Sequence, residues 1–133
     1  MSVDAPRPRR KTLLVDDDAT LLDALRRAFV EEGEDVVASS TFEEARHALQ
    51  TTAFDALVTD VRLGAFNGLQ LALLARDTYP NIRLVVFSGF DDPVIRTEAE
   101  HVGATYLVKP VAGRKLIEVV RASPSPAPEP GKN

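Results

Sequence analysis

The sequence predicts an α/β fold: a doubly wound sandwich whose parallel five-stranded sheet has the order 2-1-3-4-5. Two observations predict it. A short apolar run, a polar loop and a helical period recur five times along the chain, and the apolar runs lack the alternation of a one-sided sheet. These runs are Thr12–Val15, Asp35–Ser39, Ala56–Thr59, Ile82–Phe87 and Thr105–Val108. Val, Leu and Ile dominate them, as in strands covered on both faces. Parallel neighbours need right-handed crossovers, which helices supply economically. In this strand order a ligand crevice lies at the carboxyl ends of strands 1 and 3, where the winding reverses.

Composition narrows the class. The 133 residues give one domain with one sizeable core and are too few for two. Apolar residues at 44% and charged residues at 27% are ordinary globular usage. No apolar run is long enough to cross a bilayer, and the charged N-terminus lacks the apolar stretch of a secretory signal, so a cytoplasmic protein is expected. The absence of cysteine excludes disulfides, thiol catalysis and thiolate metal sites. A net charge of −4 argues against direct nucleic-acid binding.

Residues 1–11, with Arg7, Arg9, Arg10 and Lys11, read as a flexible basic tail. The folded domain is expected over residues 12–122. After the first strand, Leu21, Leu22, Leu25, Ala28 and Phe29 share a helical face that Gly33 terminates. Thr41-Phe42-Glu43-Glu44 spells a capping box, with Phe42, Ala45 and Leu49 facing the sheet. The third helix, Leu69 to Thr78, has a wide apolar stripe, as burial in a tight core or contact with a partner would require. Asp92-Pro93 supplies an N-cap and first-turn proline for a helix carrying Ile95, Ala99 and Val102, which Gly103 closes. The last helix spans Gly113 to Ala122, with Leu116, Val119 and Val120 inward. Residues 123–133, with prolines at 124, 126, 128 and 130, read as a linker or tail. No recognisable output segment follows Ala122, which favours a single-domain regulator that acts by docking.

The chemistry collects at the carboxyl ends of the strands. Strand 1 runs into Asp16-Asp17-Asp18, strand 3 into Asp60, strand 4 into Ser88 and strand 5 into Lys109-Pro110. Singly, an aspartate there is a helix cap, a serine a turn former and a lysine a solvated surface group. Together they suggest a phosphoryl-transfer pocket. Hard oxygen ligands without His or Cys favour Mg²⁺, with Mn²⁺ as an alternative, and leave coordination room for phosphate oxygens. Lys109 adds positive charge, Ser88 a hydrogen-bond donor, and a carboxylate can act as nucleophile. His47 and His101 fall on helices away from these ends and are expected at the surface.

Leu13-Leu14-Val15-Asp16-Asp17-Asp18, Leu57-Val58-Thr59-Asp60, Val85-Val86-Phe87-Ser88-Gly89 and Tyr106-Leu107-Val108-Lys109-Pro110 together resemble the receiver domain of two-component response regulators. That resemblance implies a flavodoxin-like fold and a signalling phosphoacceptor that is not a free-standing enzyme. It implies that Asp60 accepts a phosphoryl group from a histidine kinase or histidine phosphotransfer protein. Asp17, Asp60 and the Arg62 backbone carbonyl would hold the metal, with Asp16 acting through water. Lys109 would pair with the phosphoryl group, Ser88 would close on it, and Tyr106 would then swing inward. The face of the fourth helix, fifth strand and fifth helix (α4-β5-α5) would dock a target or mediate a phosphorylation-dependent dimer. A cis bond is implied before Pro110. Two departures stand out: Gly64 where the family usually has proline, and Asn67 where it has aspartate. Arg62 and Phe90 occupy positions that tune dephosphorylation, and their bulk suggests a long-lived phosphoryl state.

Two rival functions share these residues. Asp16-x-Asp18-x-Thr20 also resembles the nucleophile motif of haloacid-dehalogenase-type phosphohydrolases, with Asp16 as nucleophile and Asp18 as acid/base. No acidic motif follows Lys109 to complete that site, and Asp60 would have no role in it. The other rival is a receiver-like interaction module that takes no phosphate.

Overall fold

Each central strand buries side chains on both faces, and this divides the core into two halves. The computed structural model describes residues 10–122; the basic tail up to residue 9 and the proline-rich segment 123–133 lie outside the described residues. The main sheet contains β1 (Lys11–Val15), β2 (Asp35–Ser39), β3 (Ala56–Asp60), β4 (Arg83–Ser88) and β5 (Thr105–Val108). Its order is β2-β1-β3-β4-β5 with every pairing parallel, as the sequence predicts. Lys11 belongs to β1, opposite Asp35, so the strand starts one residue earlier than expected.

Five helices cross over the sheet: α1 (Ala19–Glu31), α2 (Phe42–Thr51), α3 (Gly68–Thr78), α4 (Pro93–His101) and α5 (Gly113–Arg121). Leu13, Val15, Leu57, Leu84 and Val86 point toward α2, α3 and α4, meeting Leu49, Leu71, Ala72 and Ala99. Leu14, Val58, Val85 and Phe87 point the other way, against Leu22, Leu25 and Phe29 of α1 and Leu116, Ile117 and Val120 of α5. This two-sided burial is why the strands read as unbroken apolar runs. The wide stripe of α3 is mostly core, although Leu73 remains 41% exposed.

Local chemistry ends the helices as expected, with one difference. Asp18 caps α1 by accepting from the Thr20 and Leu21 N–H groups, and Asp92 does the same for α4. Thr41 accepts from the Glu44 N–H at 3.1 Å. The return half of the box goes elsewhere: Glu44 accepts from the Ser40 backbone N–H at 3.0 Å and also from the Ser40 hydroxyl, one residue upstream of the cap. Two donors at Ser40 compete better for the carboxylate than the single N–H of Thr41.

Between β3 and α3 lies an element absent from the sequence reading. Arg62–Leu63 and Phe66–Asn67 form a two-residue antiparallel ribbon, paired Arg62 to Asn67 and Leu63 to Phe66. Gly64 opens its two-residue turn with φ +62°, and Ala65 has no positive φ, the signature of a type II′ hairpin. Phe66 stacks on Phe42 of α2, with ring centroids 4.8 Å apart.

Candidate functional site

Parallel register brings the four strand ends to one edge. Val15 pairs with Thr59, Asp60 with Phe87 and Ser88 with Val108, so Asp16, Asp60, Ser88 and Lys109 emerge side by side. Asp16 is fully buried. Its Oδ1 accepts the Asp18 N–H at 2.8 Å, and its Oδ2 lies 3.1 Å from Lys109 Nζ in an ion pair that lacks hydrogen-bond geometry. Asp60, also buried, accepts from the Arg62 N–H through Oδ1 at 3.2 Å and from Lys109 Nζ through Oδ2 at 3.0 Å. Asp17 is exposed, and its Oδ2 accepts the Gly64 N–H at 3.3 Å.

Electrostatics follow from this crowding. Burial pushes the Asp16 carboxyl above its ordinary pKa, against the opposing pull of the Asp18 N–H and Lys109; the Asp60 charge adds to the upward push. Burial also works against the Lys109 charge, but its contacts with Asp60 and Asp16 outweigh that and raise its pKa. Lys109 is therefore a firm ammonium, with its Nζ 5.0 Å from the centre of the Phe87 ring.

The residues present fit a hard divalent cation. Carboxylate oxygens of Asp16, Asp17 and Asp60 lie within 4.8 Å of one another, and one lysine cannot neutralise three carboxylates. The Asp16 Oδ2 is buried without a hydrogen-bond partner. Ribbon register supplies a further ligand candidate. The Gly68 N–H donates to the Val61 carbonyl, so the alternate pair Arg62–Asn67 is the non-hydrogen-bonded kind and the Arg62 carbonyl is not used by the ladder.

On the other side of Asp60, β4 and β5 hold the expected switch residues, Ser88 and Tyr106. Ser88 Oγ accepts the Phe90 N–H at 3.2 Å. Tyr106 is buried at 7% exposure, in the inward position. Its hydroxyl donates to the Phe90 carbonyl at 2.7 Å and accepts from the Asp92 N–H at 3.2 Å, which satisfies it in the inward position. The Arg96 guanidinium, paired with Asp91 at 2.8 Å, lies 4.7 Å from the ring centre. Arg62 and Phe90 are exposed neighbours, 6.0 Å from guanidinium to ring centre, beside a cleft of about 300 Å³ that Phe66 and Ser88 also line. The Lys109–Pro110 bond is cis. Asp18 is exposed and committed to its cap, and His47 and His101 are exposed on their helices.

Sequence reasoning missed what two glycines do here. The Gly64 N–H is one, since a turn amide bonded across the fold leaves no mark in composition. Gly68 is the other: a Cβ there would fall on the Asp60 carbonyl group. A glycine opening a helix hinted at close approach but not at what approached.

The two-sided α/β sandwich thus sets three carboxylates at its switch point with a lysine across from them, an arrangement chemically suited to a cation and a phosphoryl group. The family model for the response regulator receiver domain matches residues 12–121, and the chain belongs to that family. It is 34% identical over 111 residues to the response regulator protein FleR of Pseudomonas aeruginosa, covering 83% of this chain and 24% of FleR. It is 32% identical over 125 residues to the photosynthetic apparatus regulatory protein RegA of Rhodobacter capsulatus, covering 93% of this chain and 68% of RegA. A CheY-like receiver domain protein from Methanospirillum hungatei superposes with a TM-score of 0.81 at 25% identity, over 86% of this chain and 92% of that one. The chain thus spans about a quarter of FleR and about two thirds of RegA.

Proposed function

We propose that this chain is a signalling phosphoacceptor in which Asp60 takes a phosphoryl group from the phosphohistidine of a kinase or phosphotransfer protein. An Asp60 carboxylate oxygen forms the new O–P bond as the histidine N–P bond breaks, and that bond's electron pair stays on the imidazole nitrogen. The observation that carries this proposal is the position of Asp60: buried at the sheet edge, 3.0 Å from a lysine held in its charged form, with two further carboxylates beside it. Asp16, Asp17, Asp60 and the Arg62 carbonyl would hold Mg²⁺, with Mn²⁺ as a substitute. The ion would supply positive charge to balance the phosphoryl oxygens. Lys109 orients and balances the same oxygens. Ser88 would exchange its Phe90 N–H for a bond to the phosphoryl group.

The output side follows from the same loop. Phe90 and Asp92 carry the groups that hold Tyr106, so movement of Ser88 would reach Tyr106 through Phe90, and from there the α4-β5-α5 face. That face would dock a target or a second copy. Residues 12–122 would form the receiver and 123–133 a tail or linker, in a cytoplasmic protein that acts as a signalling module. Arg62 and Phe90, neighbours beside the cleft that Ser88 lines, would slow the water that attacks the acyl phosphate.

The phosphohydrolase alternative asks Asp18 to act as acid/base, yet Asp18 is exposed and its Oδ1 accepts two helix N–H groups, which ties its orientation to the cap. Phosphorylation by acetyl phosphate with Mg²⁺ separates the possibilities. Asp60→Asn should abolish labelling, and Asp18→Asn, which keeps a competent cap, should leave it intact. The reverse pattern would establish the hydrolase. No labelling, and no Mg²⁺-dependent response to beryllofluoride, would leave the interaction module standing.

A further inference from the structure

The three carboxylates are not held alike. Asp16 is fixed by burial, the Asp18 N–H and Lys109; Asp60 is fixed by the Arg62 N–H and Lys109. Asp17 is exposed, and among the described residues its one hydrogen bond comes from the Gly64 N–H, 47 positions away at the tip of the ribbon.

That tip is built to be steady. Its two strands are paired at Arg62–Asn67 and Leu63–Phe66, and the Gly68 N–H closes the base on the Val61 carbonyl. Phe66 is stacked on Phe42 at 4.8 Å, and Asn67 caps α3 by accepting the Leu69 N–H at 2.7 Å. Gly64 can open the turn because its φ of +62° lies in the left-handed region. In a two-residue hairpin the first turn residue does not use its N–H in the ladder, so this donor is available to an outside acceptor. A prolyl residue could supply neither the conformation nor the donor.

On the basis of the phosphoacceptor function proposed above, we infer that Gly64 is a positioning residue. Its backbone N–H orients the Asp17 carboxylate toward the cation site, so the ribbon that follows the acceptor also arms the exposed ligand. Fixing one carboxylate oxygen fixes the direction of the other. Without the amide, an exposed aspartate next to two like charges would turn to water. The Cβ direction of Gly64 is open, with nothing within 4 Å, so the position is sensitive to backbone conformation and N–H presence rather than to side-chain bulk.

The test uses the full chain and measures metal affinity directly. A semisynthetic protein carries an ester in place of the Gly64 amide, which removes the N–H and keeps glycine's freedom. Mg²⁺ titration by calorimetry should show affinity lowered roughly 10-fold, as for loss of an outer-shell partner, with the thermal midpoint in chelator close to that of the unmodified chain. Gly64→Asn, which keeps the N–H in a residue tolerant of positive φ, should bind within about 3-fold of it. In the unmodified protein the Gly64 amide proton should exchange slowly, and Asp17→Ala should speed that exchange at least about 10-fold, a readout that stands if the ester protein does not fold. Unchanged Mg²⁺ affinity in the ester protein, or Gly64 exchange indifferent to Asp17, would overturn the positioning role alone. Failure of the unmodified chain to bind Mg²⁺ would instead remove the phosphoacceptor function beneath it.

Discussion

Replacing Gly68 with alanine tests the joint between β3 and α3. The added Cβ would lie 3.0 Å from both the Asp60 carbonyl carbon and Thr59 Oγ1, and closer still to the Asp60 carbonyl oxygen. Ordinary contacts begin at 3.4 Å, and two of these three obstacles are backbone, so no side-chain rotation removes the overlap. Either α3 or the end of β3 must move, by on the order of 1 Å, at a cost of about 3 kcal/mol, the upper part of the overpacking range. Alanine's better helix propensity returns at most about 1 kcal/mol, and less at a first helical position. The expected loss is therefore about 2 kcal/mol, or roughly 8 °C in Tm for a domain of this size, measured by circular dichroism. Where the end of β3 gives way, Asp60, the proposed acceptor, moves with its backbone, and phosphorylation by acetyl phosphate should slow roughly 100-fold. A variant with Tm and phosphorylation rate both close to those of the unmodified chain would refute the close approach.

Other outcomes follow from the site's electrostatics and hydrogen bonds. Since Asp16 has a raised pKa in the fold, the folded state retains a proton that the unfolded chain has lost, and metal-free stability falls as pH rises from the ordinary carboxylate range through the folded value. Asp16→Asn should remove that part of the slope and raise Tm in chelator at neutral pH; an unchanged slope across a pH series of melts would contradict it. Lys109 acts at the other end: its raised pKa gives stability that is complete below the ordinary lysine range and lost as pH climbs through the folded value, so Lys109→Met should flatten the alkaline limb. Tyr106→Phe leaves the Phe90 carbonyl and Asp92 N–H without their partner and should cost about 1 kcal/mol in urea unfolding, with no loss if the hydroxyl is idle. Arg62→Ala with Phe90→Ala should shorten the phosphoryl lifetime roughly 10-fold in a phosphate-release assay, and an unchanged lifetime would show that the pair does not shield the acyl phosphate.

Much of this was legible in the sequence because period and position carry it. Unbroken runs such as Leu13-Leu14-Val15 announce two covered faces, and the β2-β1-β3-β4-β5 order then brings Asp16, Asp60, Ser88 and Lys109 to one edge. What stayed hidden depends on three-dimensional competition between partners. Glu44 chooses Ser40 over Thr41 because two donors converge there. The ribbon after Asp60 is too short to show a strand period, and the Phe42–Phe66 stack that steadies it joins residues from different helix–strand units. Tyr106 could be placed on its strand, but its inward position is set by the Phe90 carbonyl and Asp92 N–H of a loop whose path no local pattern fixes.

Asp60, rather than another carboxylate of the cluster, is proposed to carry the phosphoryl group. Phosphorylated protein reduced with borohydride converts an aspartyl phosphate to homoserine, and peptide mass mapping then locates the modified position. Homoserine is expected at position 60 alone, dependent on Mg²⁺ and absent from Asp60→Asn. Homoserine at position 16, or at 60 and 16 equally, would contradict it.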